Sequence, residues 1–366
     1  MTPKWPSSCS HAVSSIHIQR HAPGLTVRLR TTSRRHYAQQ QTSPSPPAAS
    51  IAKTALTLVE SNARSDRINP PRSVFPPTLQ LPERSHASGV FVYWFRVGRA
   101  YTNFYKEGIK AVWYNYRAAS LLQKRMMDEL GAKDRIDAAT RGLITRSEWQ
   151  LLARNSHDIS KLPFFGVMVV VFGEWLALIV PFVPGIVPAT CLIPKQAMDM
   201  RVKAEDRRRA SFRQGITEPL KEQFPDDRLV VAGRLAERAV WPMADVTFVR
   251  SVLDQLRADQ LHHLSSTLGL HSRFWDRVQL PPPTLLLRRA LTKRLQYLTL
   301  DDKLFLKDGG ARELNSVELE IACQERGLDT LGKKESVWQD NLGRWLKRQS
   351  EDEGRGRAML GMLFKR

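Results

Sequence analysis

The chain has 366 residues and carries 56 basic and 36 acidic side chains, a net charge of +20. That length suffices for a sizeable core and one or two folded units, and the charge favours nucleic acid, anionic lipid or acidic protein partners. The excess is spread, +6 over residues 1–60, +7 over 61–194 and +7 over 195–366, so no dedicated polybasic arm stands out. Cys9, Cys191 and Cys323 are far apart and lack metal-ligand spacing, which speaks against a zinc site or a disulfide framework.

In chain order, the first feature is a stretch without acids. Lys4, Arg20, Arg28, Arg30, Arg34, Arg35 and Lys53 precede the first acid, Glu60, among many Ser and Thr. An Arg-rich, Ser-rich, acid-poor N-terminus has the composition of a mitochondrial presequence, because a positive segment is drawn through import channels by the matrix-negative potential. Arg35-His36-Tyr37-Ala38 places the expected cleavage near residue 37, giving a presequence over 1–37. Residues 38–91, with Pro46, Pro47, Pro70, Pro71, Pro76 and Pro77, read as a Pro-rich linker.

Residues 92–161 read as a helical segment. Phe95, Tyr101, Phe104, Ile109, Val112, Trp113, Tyr116, Ala119 and Leu122 recur at helical spacing, and Gly131 supplies a stop. Lys106, Lys110, Arg117, Lys124 and Arg125 accompany the stripe, so it suits either a membrane surface or a partner helix. Thr145-Arg-Ser-Glu148 fits a capping box that opens a short helix through Leu152.

Between Leu162 and Ile193 the single charge is Glu174. The run exceeds the roughly 20 residues needed to cross a bilayer core, and Pro181, Pro184 and Pro188 limit the expected transmembrane helix to Leu162–Phe182. The N-terminal flank holds four basic residues and the C-terminal flank seven, which predicts a single pass with residues 195–366 in the matrix. An acid inside a membrane costs about 2.5–3.5 kcal/mol on insertion scales. Glu174 therefore reads either as an ion site or as a carboxyl that hydrogen-bonds a neighbouring helix.

Beyond it, periodic apolar residues continue through Leu229, Val230 and Leu235, then Val246, Val249, Leu253 and Leu256. After Pro281-Pro282-Pro283 come Leu285, Leu286, Leu291, Leu295 and Leu298, again helical in spacing. Asn315-Ser-Val-Glu318 is a second capping-box pattern, Arg326-Gly327 ends that helix, and Ser336–Trp345 closes the series. No alternating strand pattern appears, so the fold class is all-α, with a soluble domain over 195–348 and a tail over 349–366.

Three blocks give the chain a family resemblance. They are Glu107-Gly-Ile-Lys110 with Trp113, Leu143-Ile-Thr-Arg146-Ser-Glu148 and Asp158–Phe164; the apolar run with Phe172-Gly-Glu174 and Pro184–Thr190; and Leu268-Gly-Leu270, Asp301-Asp302, Leu314, Glu318-Leu319, Ala322-Cys323, Arg326-Gly327 and Trp345-Leu346. In these the chain resembles the Letm-type ribosome-binding domain proteins, the leucine-zipper EF-hand transmembrane proteins of the mitochondrial inner membrane. No EF-hand loop or sustained heptad is present, which suggests the short form. The resemblance implies a membrane-held receptor for the mitochondrial ribosome that aids protein insertion, in contact with inner-membrane lipids. It also implies a rival function, potassium/proton or calcium/proton exchange by a homo-oligomer with Glu174 as carrier group.

Residues 314–346 look like a SAP-type helical hairpin, a fold used on nucleic acid and equally a plain packing element. Arg288, Arg289, Lys293 and Arg294 lie close on the preceding helix and are the candidates for ribosome contact, either as phosphate ligands or as a solvated basic face. His157-Asp158 and His262-His263 lack a third group at catalytic or metal spacing, so neither an enzyme nor a cofactor is expected.

Overall fold

The computed structural model describes residues 63–83, 89–172, 185, 187–219 and 241–365. The expected presequence, Glu174, and the Leu229–Leu235 pattern lie outside these residues, as do 173–184 of the expected membrane segment. The described residues are helical, joined by turns and irregular segments, with no strand among them. The helices are α1 (Val90–Asp128), α2 (Arg135–Thr140), α3 (Arg146–Phe172), α4 (Pro194–Arg213), α5 (Val246–Asp254), α6 (Ala258–Thr267), α7 (Arg273–Val278), α8 (Thr284–Asp308), α9 (Ser316–Glu325), α10 (Glu335–Glu351) and α11 (Arg357–Phe364).

The main core gathers around α8. Leu287, Leu291, Leu295 and Leu298 line one side of that helix and meet Val249 and Leu253 of α5, Leu261 and Leu264 of α6, and Leu342 and Trp345 of α10. The hairpin α9–α10 packs into the same cluster through Leu319, Ala322 and Cys323. Its connecting loop turns at Gly327, φ +70°, where an added Cβ would sit 3.2 Å from the Thr267 carbonyl oxygen. Glycine adopts that conformation without a Cβ penalty.

Two segments expected to stand apart belong to this body. Residues 349–366 are not a tail: Met359, Leu360, Leu363 and Phe364 of α11 are buried in the main cluster, their spacing being that of one helical face. Residues 67–74 of the Pro-rich stretch likewise dock. Ile68 and Val74 are buried, Arg67 pairs with Asp308 at 3.0 Å, and the Asn69 amide donates to the Glu313 carbonyl at 2.8 Å. Prolines fix the backbone here in a shape that follows the domain surface rather than leaving it loose.

Helices α1 and α3 run antiparallel. Ala119, Leu122 and Met126 meet Trp149 and Leu152 near one end. Phe104 and Tyr105 meet Phe165 near the other, with Tyr101 and Met168 beside them. The aromatic stripe of α1 divides accordingly: Phe104, Val112, Ala119 and Leu122 face inward, whereas Phe95, Ile109, Trp113 and Tyr116 are exposed. Gly131, φ +57°, stops the chain after α1, and the Ala132 amide reaches back to the Met126 carbonyl at 2.9 Å.

The capping box at Thr145 forms as expected. The Thr145 amide donates to the Glu148 carboxylate at 2.8 Å, and the Glu148 amide donates to the Thr145 hydroxyl at 3.3 Å. The helix does not end at Leu152, however. It continues as one piece through Pro163 to Phe172, so Leu162 is an interior position rather than the start of a new span. Among the described residues no helix is long and apolar enough to cross a membrane.

Where the chain re-enters the described region it lies against α3. The Ala189 amide donates to Asp158 at 2.7 Å, the Thr190 hydroxyl lies 3.3 Å from the same carboxylate, and Lys161 donates to the Val187 carbonyl at 3.2 Å. Val187, Cys191 and Ile193 join Phe104, Tyr105 and Phe165 in one cluster. Gly108 permits the approach, since a Cβ there would come within 2.7 Å of the Cys191 sulfur. Both flanks of the apolar run therefore sit side by side.

Candidate functional site: a buried ion lattice and a basic edge

The most unusual feature of the interior is charge. Asp301 and Asp302 occupy adjacent positions of α8 amid Leu298, Leu300, Leu304 and Phe305, and all six are fully buried. Arg146 and Arg326, with 0% exposure, come from α3 and from the end of α9 to meet them. The Arg146 guanidinium lies 3.1 Å from Asp301 and 2.7 Å from Glu318, and Arg154, about two turns further along α3, takes the second Glu318 oxygen at 2.7 Å. Arg326 binds Asp301 at 2.7 Å and, through Nε, Asp302 at 2.9 Å.

Three guanidiniums thus face three carboxylates, and neutral donors fill the remaining lone pairs. Trp345 Nε1 donates to Asp302 at 2.8 Å and the Gln150 amide donates to Asp301 at 2.7 Å. Tyr297 lies 3.0 Å from Gln150 and 3.1 Å from Glu325. The Phe305 ring receives the Arg146 guanidinium at 3.7 Å and that of Arg326 at 5.2 Å, within cation–π range. Charges are tolerable in such a dry place only when paired and hydrogen-bonded; each charged group here is ion-paired and hydrogen-bonded, though Arg146 Nε and Arg154 Nη1 make no hydrogen bond of their own.

The titration of the acids follows from this geometry. Burial pushes Asp301 up, but Arg146 and Arg326 more than offset it and hold the carboxyl below its ordinary value. Burial prevails at Asp302, which stays raised despite Arg326 and Trp345. Burial, with Glu325 and Asp301 nearby, keeps the Tyr297 hydroxyl protonated well beyond the usual phenol range.

Asn315 caps α9 by accepting from the Glu318 amide at 2.8 Å. The reciprocal half expected from the capping pattern is absent because the Glu318 carboxylate is committed to Arg146 and Arg154. The lattice also fixes the N-terminal segment: Arg146 donates to the Ile68 carbonyl at 2.8 Å, and the Arg146 amide donates to Asp308 at 2.8 Å.

The four candidate cations of α8 are split by helical geometry. Arg289 and Lys293, four residues apart, are exposed on the same side. Arg288 turns to Asp254 at 3.2 Å, and the Arg294 guanidinium lies 5.4 Å from the Tyr297 ring. Next to Arg289, Leu285 and Leu286 are exposed, as is Leu280 beyond the prolines.

Folding brings His271 and Asp276 to His262, an assembly that chain spacing did not reveal. His262 and His271 stack with ring centroids 5.1 Å apart, and His271 Nε2 lies 3.1 Å from Asp276. Ser265 occupies His271 Nδ1 at 2.8 Å, and Arg207 pairs with the other Asp276 oxygen. Burial lowers both imidazoles, and His271 acts as a hydrogen-bonding strut between α6 and α7, with Arg207 of α4 held on the same Asp276.

These observations define an all-helical protein whose domain is closed by a neutralised arginine–carboxylate lattice and edged by a short basic and apolar strip. The chain belongs to the LETM1-like family: the family profile described as LETM1-like, RBD, matches residues 144–361. Every member of the lattice, from Arg146 to Trp345, falls within that match, whereas α1 and the docked Pro-rich stretch lie before it. A Drosophila melanogaster protein named mitochondrial proton/calcium exchanger protein is 25% identical over 224 residues, 56% of this chain and 21% of that protein. The match thus spans about a fifth of the relative's length. No solved structure matches.

Proposed function

We propose that the chain is a mitochondrial, membrane-associated protein that binds the ribosome on the matrix side, with α8 and the α9–α10 hairpin as the docking edge. The family match over residues 144–361 carries this reading, since the matched domain is the one named for that role. The exposed pair Arg289 and Lys293, with Leu285 and Leu286 alongside, supplies cations for phosphate and apolar surface for ribosomal protein. The rigid lattice behind them holds α8 in place, so little order would have to be acquired on binding.

Co-sedimentation of the full chain with mitochondrial ribosomes across a salt series tests it. Binding should weaken steeply with salt, because each phosphate neutralised releases condensed counterions. Arg289→Ala with Lys293→Ala should weaken binding and flatten that dependence. Failure of the full chain to bind at low salt would end the proposal.

A second reading is cation/proton exchange by an oligomer, favoured by the name of the Drosophila relative and by Glu174 in the apolar run. Proton-coupled calcium or potassium flux in vesicles, abolished by Glu174→Gln while ribosome binding persists, would support it. Flux unchanged by that substitution would remove Glu174 as the carrier.

A further inference from the structure

We infer that His262, His271 and Asp276 form a binding site for a divalent transition metal ion of the zinc class. They come from α6, the loop after it and α7. One ring nitrogen from each histidine and one carboxylate oxygen lie within 4.8 Å of one another. Zinc accepts imidazole and carboxylate ligands at about 2.0–2.2 Å, which puts two ligands of one tetrahedral ion about 3.3 Å apart. His271 Nε2 and Asp276 Oδ1 already stand 3.1 Å apart. The His262 nitrogen needs to approach by no more than about 1.5 Å to complete the set.

The groups behind these ligands hold them ready. Ser265 lies 2.8 Å from His271 Nδ1, the ring nitrogen that does not face Asp276. A hydroxyl can donate to a bare Nδ1 or accept from Nδ1–H. Moving the ring proton from Nε2 to Nδ1 therefore opens Nε2 to an ion while Nδ1 stays hydrogen-bonded. Such outer partners fix the ring of a metal-bound histidine. Asp276 is held in the same way. Arg207 of α4 donates to the His271 carbonyl at 2.9 Å and grips the second Asp276 oxygen at 2.5 Å, leaving the first turned to the imidazole. His262 is the member that a hydrogen-bonded strut does not use. Its ring lies against His271, with 5.1 Å between centroids, and no described residue hydrogen-bonds its nitrogens.

Charge selects the class of ion. Arg207, Arg273 and Arg277 outnumber the one carboxylate, so attraction by net charge is absent. Calcium and magnesium need several oxygen ligands, and these residues offer one. Neutral imidazole nitrogen suits zinc, whose bonds to it do not depend on a negative surround. The ion would fasten α7, with its exposed Phe274 and Val278, to α6 and through Arg207 to α4.

The test titrates cobalt(II), a coloured stand-in for zinc, into the untagged full chain carrying Cys9→Ser, in detergent after chelator treatment. Cys191 and Cys323 are buried free thiols. One equivalent should bind with the intense visible absorption of a tetrahedral ion, and zinc should displace it. His262→Ala and Asp276→Asn should each weaken cobalt binding at least tenfold, as should Ser265→Ala, which removes only an outer partner. His262→Ala breaks no hydrogen bond among the described residues, so its metal-free circular dichroism and unfolding midpoint should match the parent's. Zinc should slow amide exchange over residues 270–279 in the parent and not in His262→Ala. Absence of tetrahedral cobalt absorption in the parent, or binding undiminished in His262→Ala and Asp276→Asn, would overturn the site. Pale, salt-sensitive uptake of several equivalents would overturn it equally, as adventitious attachment to surface acids.

Discussion

The two ends of α3 reverse the usual rule of inside and outside. Around Arg146 the protein buries two cations and three anions, with a third cation, Arg154, half-buried at their edge; around Val170 it exposes valine and phenylalanine. The first region is legible as protein chemistry in water, where desolvated charges are neutralised by partners drawn from several helices. Near Val170 the side chains find no partners among the described residues and stand exposed. One helix thus joins a region of enclosed charge to one of exposed apolar surface, and each should respond to a different perturbation.

The largest effect should come from unbalancing the lattice. Arg326→Met leaves Asp301 and Asp302 together without their shared cation, and we expect a loss of about 3–5 kcal/mol in denaturant unfolding. Asp302→Asn should be milder, since a neutral amide still accepts from Trp345. In that background the raised carboxyl of Asp302 no longer opposes the pH response of Asp301, which adds to those of Asp245 and Asp329, also held low. The Asp301 pKa is lowered by Arg146 and Arg326 on folding, so its contribution is complete above the ordinary carboxylate value near 3.8 and fades as pH falls through the depressed one. Stability measured by urea titration should therefore drop on acidification below pH ~4; a flat profile would mean that Asp301 is not held ionised.

Next in size is the junction between the regions. Gly108→Ala drives a methyl toward the Cys191 sulfur and the Thr190 carbonyl, at a cost of about 1–3 kcal/mol. Amide exchange should rise in residues 187–193 while α8 and α9 stay protected. Loss of the cap in Thr145→Ala should cost about 1 kcal/mol in thermal unfolding. Smallest of all, Arg289→Ala and Lys293→Ala should each shift stability by no more than about 0.5 kcal/mol, so any change in ribosome binding is a surface effect.

Helix positions were readable from apolar spacing because one face of each helix is buried and the other wet. The Thr145 box, the Gly131 stop and the α9–α10 hairpin are local and came through intact. The lattice was hidden because its partners lie far apart in the chain: Asp301-Asp302 and Arg326 could be singled out, yet nothing in their spacing says that Arg146 reaches them. Charged pairs flanked by leucines on both sides were the available hint. The return of the chain to Asp158 was equally invisible, since hydropathy counts apolar residues without knowing where the next polar contact lies. The α1 stripe was ambiguous for a related reason, carrying one face toward the protein and another away from it.

The clasp of residues 67–69 on residues 308–315 imposes an order of events. Apart from the local bonds of Asn69 to Ser65, Arg67, Ile68 and Asn69 pair with Asp308, Arg146, Glu313 and Asn315, more than two hundred positions away for most of these contacts. A chain delivered N-terminus first presents α1 and the apolar end of α3 long before Asp301, Glu318 and Arg326 arrive to close around Arg146. Contacts of such long range form late and slowly. Throughout that interval the newly delivered polypeptide displays its greasiest segments while its charge lock is still incomplete. A holdase or another covering surface would shield those segments until the last third of the chain comes through.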